Sequence, residues 1–313
     1  MSANRDAYLD ADVLSDVLRA VRLTAAVYFD VDLTSPWGTG TPSSREIAAA
    51  VMPGAQRVIE YHFIERGRCW GHAVGHEPIR LREGDLIVFP HGDARVLSSE
   101  RARIVCCFLA CDERPYNPLL TALPSVIHLS GSGPHPRTGW IGTLLNIAAS
   151  ESNSARPGTE NVLARLSELM FVETIRQYLE TLPPERTGWL AGLRDPVVGQ
   201  ALAALHAEPQ APWTVARLAR LVGVSRSVFA ERFTGMVGHP PMHYLALWRM
   251  QLASLLLVDG GQVAAVAGAV GYESEAAFSR AFKKRVGQAP TTWRRATGLP
   301  LHGHTSANGD HRA

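Results

Sequence analysis

QVAAVAGAVGYESEAAFSRAFKKRVGQAP, residues 262–290, reads as two short helices around a glycine turn. Val263, Val266, Ala267 and Val270 recur at helical spacing and form one apolar face. Gly271 supplies the left-handed conformation that ends the first helix. Ser274 is placed to cap the second, whose Phe278 and Phe282 lie one turn apart on the packed side. The same frame stands about 48 residues earlier in WTVARLARLVGVSRSVFAERFTGMVG, residues 213–238. There Thr214 caps a helix faced by Val215, Leu218, Ala219 and Val222. Gly223 makes the turn, Val224 takes the place of Tyr272, and Ser225 caps a helix carrying Phe229 and Phe233. One such hairpin is common in ordinary helical cores. Two with the same internal spacing, joined by the helical run MHYLALWRMQLASLLL (242–257), form an internal repeat. A glycine-turned helix pair is the arrangement that lays its second helix in the major groove of DNA.

Charge agrees with that reading. The whole chain of 313 residues carries a formal net charge of +2, but residues 195–296 hold eleven basic side chains against six acidic ones. A basic C-terminal domain predicts a polyanionic partner, and a merely solvated basic surface is the plain alternative. Lys283 and Lys284 are the two lysines of the sequence; every other basic side chain is arginine. Length and a hydrophobic content of 46% predict two domains, each able to bury a core. The four cysteines, Cys69, Cys106, Cys107 and Cys111, are too few and too clustered for a disulfide scaffold, which predicts a reducing cytoplasm. No run approaches the ~18 apolar residues of a membrane span. The polar, acidic start MSANRDAYLDADVL lacks the pattern of a secretory signal.

The N-terminal half has a different period. After a helix over 12–23, with Asp12 as its cap, come AAVYFD, YHFIERGRCWG, PIRLREGDLIVFP, ARVLSS, ARIVCCFLAC and VIHLS. These short β-branched or aromatic runs, punctuated by Gly, Pro and charge, predict an antiparallel sandwich or barrel. Residues 140–153 and 159–181 read as helices. The second is apolar enough to need a partner, either its own domain or a second copy of the chain. The expected fold class is α+β multidomain. It comprises a cupin-like β-barrel sensor domain over 12–130, a helical linker or dimerisation region over 140–182, an all-α domain with two helix-turn-helix units over 195–296, and a disordered tail over 297–313.

The pattern GYES, then aromatic residues flanking S-R-A-F, then G-Q-A-P and Trp293 before two arginines resembles the DNA-binding domain of AraC/XylS transcriptional regulators. The resemblance covers essentially all of 195–296. It implies two recognition helices, about 226–236 and 275–286, held roughly one DNA turn (about 34 Å) apart. By that resemblance Arg226, Ser227, Ala230 and Glu231, and then Glu275, Ala276, Ala277 and Arg280, face bases. Arg280 is the best candidate for a bidentate grip on guanine, and Glu231 for cytosine N4 unless it simply faces solvent. Lys283, Lys284 and Arg285 are read as phosphate contacts, and Arg249, Arg294 and Arg295 either as more of these or as solubilising charge. The paired phenylalanines and Trp248 are read as core.

The N-terminal half resembles the cupin sensor domains fused to such regulators, through YHFIERGRCWG, REGDLIVFPHGDAR and CCFLACDERPYNPLLTALPSVIHL. Metal-dependent cupins resemble this pattern but carry a histidine pair with Glu in the first motif and a histidine in the second. Here the first motif is reduced to His62, with Glu65 a weak second, and Arg95 occupies the second histidine's place. Arginine stays protonated and is no routine metal ligand, so no metal and no cofactor is expected. His72, His76 and His91 are read as surface or cavity histidines. Arg95 is expected to pair with Asp85 or Asp93, or to grip an anionic effector.

Cys106 lies in an IVC stretch that resembles regulators responsive to reactive chlorine species. A thiolate near Arg68, Arg101 and Arg103 oxidises readily; a buried, inert thiol is the plain alternative for Cys106, Cys107 and Cys69. The sensor candidates are therefore Cys69, Cys106, Cys107, Arg95 and His62. The expected function is that of a cytoplasmic, sequence-specific DNA-binding transcription regulator, an activator, controlled by cysteine oxidation or a small ligand. Its expected partners are double-stranded promoter DNA, RNA polymerase, a small-molecule or oxidant effector and a second copy of itself, with no membrane. No residues are spaced as a catalytic site. The alternatives are a cupin-fold metalloenzyme with an accessory DNA-binding domain, and an architectural DNA binder without a signal.

Overall fold

A computed structural model describes residues 12–20, 23–33, 37–41, 57–93, 95–111, 116–131, 138–154, 156–182 and 188–297. The chain opens with helix α1 (Val13–Ala20), whose first turn is capped by the Asp12 carboxylate accepting from Ser15 N at 3.0 Å. Strands β1 (Leu23–Leu33), β2 (Trp37–Thr41), β3 (Arg57–Ala73), β4 (Ile79–Arg82), β5 (Leu86–Phe89) and β6 (Arg95–Cys111) follow. β3 and β6, 17 residues each, pair antiparallel from end to end and form the spine of one sheet. β1 adds to the C-terminal part of β6 and β2 to its N-terminal part. β5 and β4 pair opposite ends of β3, and β7 (Ile127–Leu129) pairs β5.

The sequence reading changes here in two respects. ARVLSS and ARIVCCFLAC are a single strand, because the polar residues between them continue the ladder with β3 instead of turning. Strand β2 and the short helix α2 (Pro118–Ala122), capped by Asn117, were not expected. The expected cupin-like barrel takes the form of a curled seven-stranded sheet; among the described residues no pairing joins β1 to β7.

Alternation sorts the sheet's two faces. Ile64, Leu81, Ile87, Phe89 and Ile104 pack together inside the curl. Tyr61, Phe63, Val105, Cys107 and Leu109 face the other way, against α3 (Thr138–Ser152) and α4 (Thr159–Thr181). α4 matches the expected span and buries Met170, Phe171 and Ile175 on the sheet side. Val162 and Leu169 of the same helix are exposed.

The C-terminal region is all helix: α5 (Trp189–Gly192), α6 (Val198–Ala207), α7 (Val215–Val222), α8 (Arg226–Val237), α9 (Pro241–Val258), α10 (Val263–Ala269), α11 (Glu275–Val286) and α12 (Pro290–Thr297). Its packing falls into two cores. One runs without a break from Val17 and Leu119 through Trp189 and Leu202 to Phe229, Tyr244 and Trp248, and so joins the first helix-turn-helix unit to the N-terminal domain. The other, built on Leu257, Val266, Phe278, Phe282 and Trp293, belongs to the second unit. None of the described helices is long and apolar enough to cross a membrane. The expected tail lies, from residue 298 on, outside the described residues.

Candidate functional site

The second helix of each unit is set by a hydroxyl cap and a glycine turn. Ser225 Oγ accepts from Val228 N at 3.3 Å, and Ser274 Oγ accepts from Ala277 N at 3.2 Å. Gly223 has φ of 74° and Gly271 of 80°, which a side-chain-bearing residue rarely adopts. At Gly271 a Cβ would also sit 2.6 Å from the Gln210 carbonyl oxygen. Phe229 and Phe233 of α8, and Phe278 and Phe282 of α11, are fully buried, which turns the opposite faces outward.

On α8 that outward face carries Arg226, Ser227 and Glu231, all exposed, with Ala230 partly covered. Ser227 Oγ lies 3.2 Å from the capping Ser225 Oγ. Val228 joins this face at 50% exposure. On α11 Glu275, Ala276 and Arg280 are exposed in one stripe, followed by exposed Lys283, Lys284 and Arg285.

Not every arginine is available to DNA. Arg249 of α9 is half-buried and donates to three carbonyls: Pro209 O at 2.7 Å, Ala211 O at 3.0 Å and Gly271 O at 3.4 Å. It ties the loop before α7 to the turn of the second unit, so the phosphate or solubilising role expected of it gives way to a structural one. Arg294 reaches Gly261 O at 3.4 Å. Arg232 of α8 binds Asp195, whose carboxylate also accepts from Val197 N and Val198 N at the start of α6.

The N-terminal sheet holds a second cluster, inside its curl. Glu60 and His62 lie two apart on β3 and share a face; His62 pairs in register with Cys106 of β6. His62 Nδ1 is 3.1 Å from Cys106 Sγ. Arg95 Nε donates to His62 Nε2 at 3.1 Å, and Arg95 Nη1 forms an ion pair with Glu60 Oε2. Glu60, His62 and Arg95 are each at most 2% exposed, while Cys106 is partly open. Phe89 and Phe108 set their rings edge-on to His62 and beneath the Arg95 guanidinium. Burial above all, and then the charge of Arg95, hold the His62 pKa below that of free imidazole.

Two expectations are corrected by this geometry. The partner of Arg95 is Glu60, which the sequence reading passed over. Asp85 instead accepts from Arg82 N at 3.0 Å and Gly131 N at 2.9 Å and anchors the loop beside β5. The arginine beside the thiol is Arg95. Arg101 and Arg103 sit odd numbers of residues from Cys106 and so on the other face of β6, where Arg103 pairs with Glu65 at 2.8 Å.

The other described cysteines are buried. Cys107 is fully buried on the helix side of the sheet, and burial pushes its thiol far up. Cys69 is pushed up to about 12 by burial and then by the charge of Asp85. The side chain of Cys111 lies outside the described residues. His91 Nε2 lies 2.8 Å from Leu123 O, a backbone partner. Among the described residues no three His, Cys, Asp or Glu side chains are grouped to hold a metal ion.

A cupin family model matches residues 12–180, and a helix-turn-helix domain model matches residues 218–296. The chain is 35% identical to a putative AraC-like transcription regulator of Streptomyces lividans, over 80% of this chain and 91% of that one. It is 27% identical to the RCS-specific transcriptional activator RclR of Escherichia coli, over 77% of this chain and 86% of the relative. Among solved structures, the DNA-binding domain of AdpA in complex with a target DNA is 29% identical, covering 33% of this chain and 92% of that one, with a TM-score of 0.31. The geometry of two capped, glycine-turned helix pairs behind a cupin sheet agrees with the two family models and the Streptomyces lividans relative: the chain belongs to the AraC-like transcription regulators.

Proposed function

We propose that this DNA-binding regulator is switched by oxidation of Cys106. The observation that carries the reading is the setting of that thiol. It is partly open to solvent, 3.1 Å from His62 Nδ1, and next to a buried Glu60–Arg95 pair. A thiolate attacks the chlorine of hypochlorous acid and releases hydroxide; water then displaces chloride from sulfur, leaving sulfenic acid and a proton. The likeness to an activator whose name gives it as specific for reactive chlorine species supports this chemistry. A small anionic effector is the less supported reading, because Glu60 already neutralises Arg95.

The output is promoter binding in the cytoplasm and activation with RNA polymerase. Arg280 and Glu231 read bases, Arg226, Ser227 and Glu275 contribute polar contacts, and Ala230, Ala276 and the exposed Val228 offer apolar contact to thymine methyls. Lys283, Lys284 and Arg285 neutralise phosphates. Trp140 and Ile147 of α3 and Val162 and Leu169 of α4 are exposed apolar side chains, which supports a contact between two copies. The test is binding to DNA upstream of the protein's own gene, measured reduced, after hypochlorite, and after re-reduction. A reversible change that disappears in Cys106→Ser is expected. Binding that ignores redox state would remove the thiol from the signal.

A further inference from the structure

The hydrogen-bond directions in the sheet's cluster are forced by its chemistry. Arginine stays protonated and has no acceptor, so the Arg95 Nε–H facing His62 Nε2 makes that nitrogen an acceptor. A neutral imidazole must then carry its proton on Nδ1. Nδ1 faces Cys106 Sγ at 3.1 Å, so the ring donates to sulfur. This excludes the arrangement of a cysteine–histidine nucleophile pair, in which the ring nitrogen takes the thiol's proton. A donor aimed at sulfur favours its charged form, as a nearby guanidinium does. Glu60 keeps the guanidinium in place: its carboxylate meets Arg95 Nη1 and lies 3.8 Å from His62 Nε2.

We propose that Glu60, Arg95 and His62 form a positioning relay that holds the imidazole proton on Nδ1 and thereby keeps Cys106 as a reactive thiolate. Arg95 stands where the metal-binding form of this pattern carries a histidine. Its work here is to point the other histidine's proton at a sulfur. The inference deepens the reading of Cys106 as the sensor and rests on it for its biological use, but tautomer and thiol reactivity are measured without DNA.

Two measurements on the full chain test it. The first is nitrogen-15 NMR of histidine-labelled protein, which has twelve histidines, with the His62 ring signals assigned in the unmodified protein by through-space contacts to the Phe89 and Phe108 rings. A neutral Nδ1–H ring is expected; an Nε2–H ring overturns the relay. The second is the rate at which iodoacetamide alkylates Cys106 at pH 7, followed by peptide mass. His62→Leu is expected to slow it about tenfold, the change in thiolate fraction for one unit of pKa. The paired variant Glu60→Leu, Arg95→Leu, which strands no charge, is expected to do the same. Wild-type rates in folded variants would overturn the proposal; should neither variant fold, the tautomer of the unmodified protein decides. An Nδ1–H ring with a fast thiol, but DNA binding indifferent to hypochlorite, would leave the relay standing and remove the sensor role. Oxidant-sensitive DNA binding with an Nε2–H ring would do the reverse.

Discussion

The first helix-turn-helix unit, α7 with α8, and the second, α10 with α11, are closed by the same devices. After the turn glycine, Val224 N donates to Ala219 O at 3.1 Å in one, and Tyr272 N to Ala267 O at 2.9 Å in the other. Each second helix has a serine cap and a buried phenylalanine pair with ring centroids about 5.5 Å apart. Their surroundings differ. The first unit shares one core with the sensor domain, while the second packs around its own core, closed by Trp293 of α12. A duplicated local motif therefore does not dictate duplicated neighbours. Among the described residues, packed side chains join the sensor domain to α8, and α9 with the Arg249 bracket links that core to the second unit.

The strongest way to break that contrast is to empty the equivalent core positions. Phe229→Ala and Phe282→Ala each remove a fully buried ring, at a cost of about 3–5 kcal/mol. Hydrogen exchange followed along the chain is expected to show Phe282→Ala loosening residues 250–293 alone. Phe229→Ala is expected to loosen α1, α6 and the base of α9 as well. Equal loosening of everything by both variants would mean that the two cores open as one.

Acid is expected to separate the cores by about 2 kcal/mol between pH 6.5 and 4.5. His206 of α6 is buried, stacks on Trp248 with centroids 4.2 Å apart, and places Nε2 2.7 Å from the Tyr244 hydroxyl. That hydroxyl in turn accepts from Trp189 Nε1 at 3.0 Å. Burial pushes the His206 pKa down to about 3. The unfolded chain, with a histidine near 6.5, therefore binds more protons than the folded one between about pH 6.5 and 3. Stability is full above that window and falls as pH drops through it, by about 1.4 kcal/mol per unit. His62 adds the same sign within the sheet. Between pH 6.5 and 4.5 the first core should weaken and the second, which holds no buried histidine among its described residues, should not. Melting of wild type and His206→Phe at both pH values checks this; a slope unchanged in the variant would place the acid sensitivity elsewhere.

Much of the C-terminal half was legible because its signals are local. A serine three residues before the amide it caps, a glycine at positive φ and phenylalanines four apart all fall within one turn or two. The sheet was less so. The join of ARVLSS to ARIVCCFLAC depends on a partner strand some thirty residues away, and so does the meeting of His62, Arg95 and Cys106. All three were candidates, but nothing local in the sequence brings them together. Glu60 was passed over, although alternation from His62 puts it on the same face. Arg249 was misjudged because a helix-borne arginine looks the same in sequence whether it meets phosphate or carbonyl.

Two substitutions sharpen the contrast at the DNA face of the second unit. Arg280→Ala is expected to lower specific binding by about 1–3 kcal/mol and to relax one base position. Lys284→Ala should weaken specific and random DNA alike and reduce the salt slope by about one. Binding isotherms on both DNAs at several salt concentrations read out the two effects. Equal loss on both DNAs for Arg280→Ala would make it a phosphate contact, and a changed base preference for Lys284→Ala would make it a reader.

The smallest expected effect bears most directly on how the sensor domain holds α9. Gln251, buried in the middle of that helix, donates from Nε2 to Ala20 O at 3.1 Å and accepts at Oε1 from Tyr116 N at 3.2 Å. One side chain thus ties the end of α1 and the strand-to-α2 connection to the helix that joins both units. Gln251→Ala should cost about 1 kcal/mol, the net worth of such bonds, and faster exchange of the Tyr116 amide would report it. Gln251→Glu is the sharper variant. It keeps the acceptor for Tyr116 N but sets a carboxylate oxygen against the Ala20 carbonyl, so it should loosen α1 while sparing Tyr116. If α9 carries the signal, either variant should weaken the response of DNA binding to the sensor domain without changing affinity for reduced protein. An unchanged response would leave the shared apolar core, and not this polar tie, as the route between the domains.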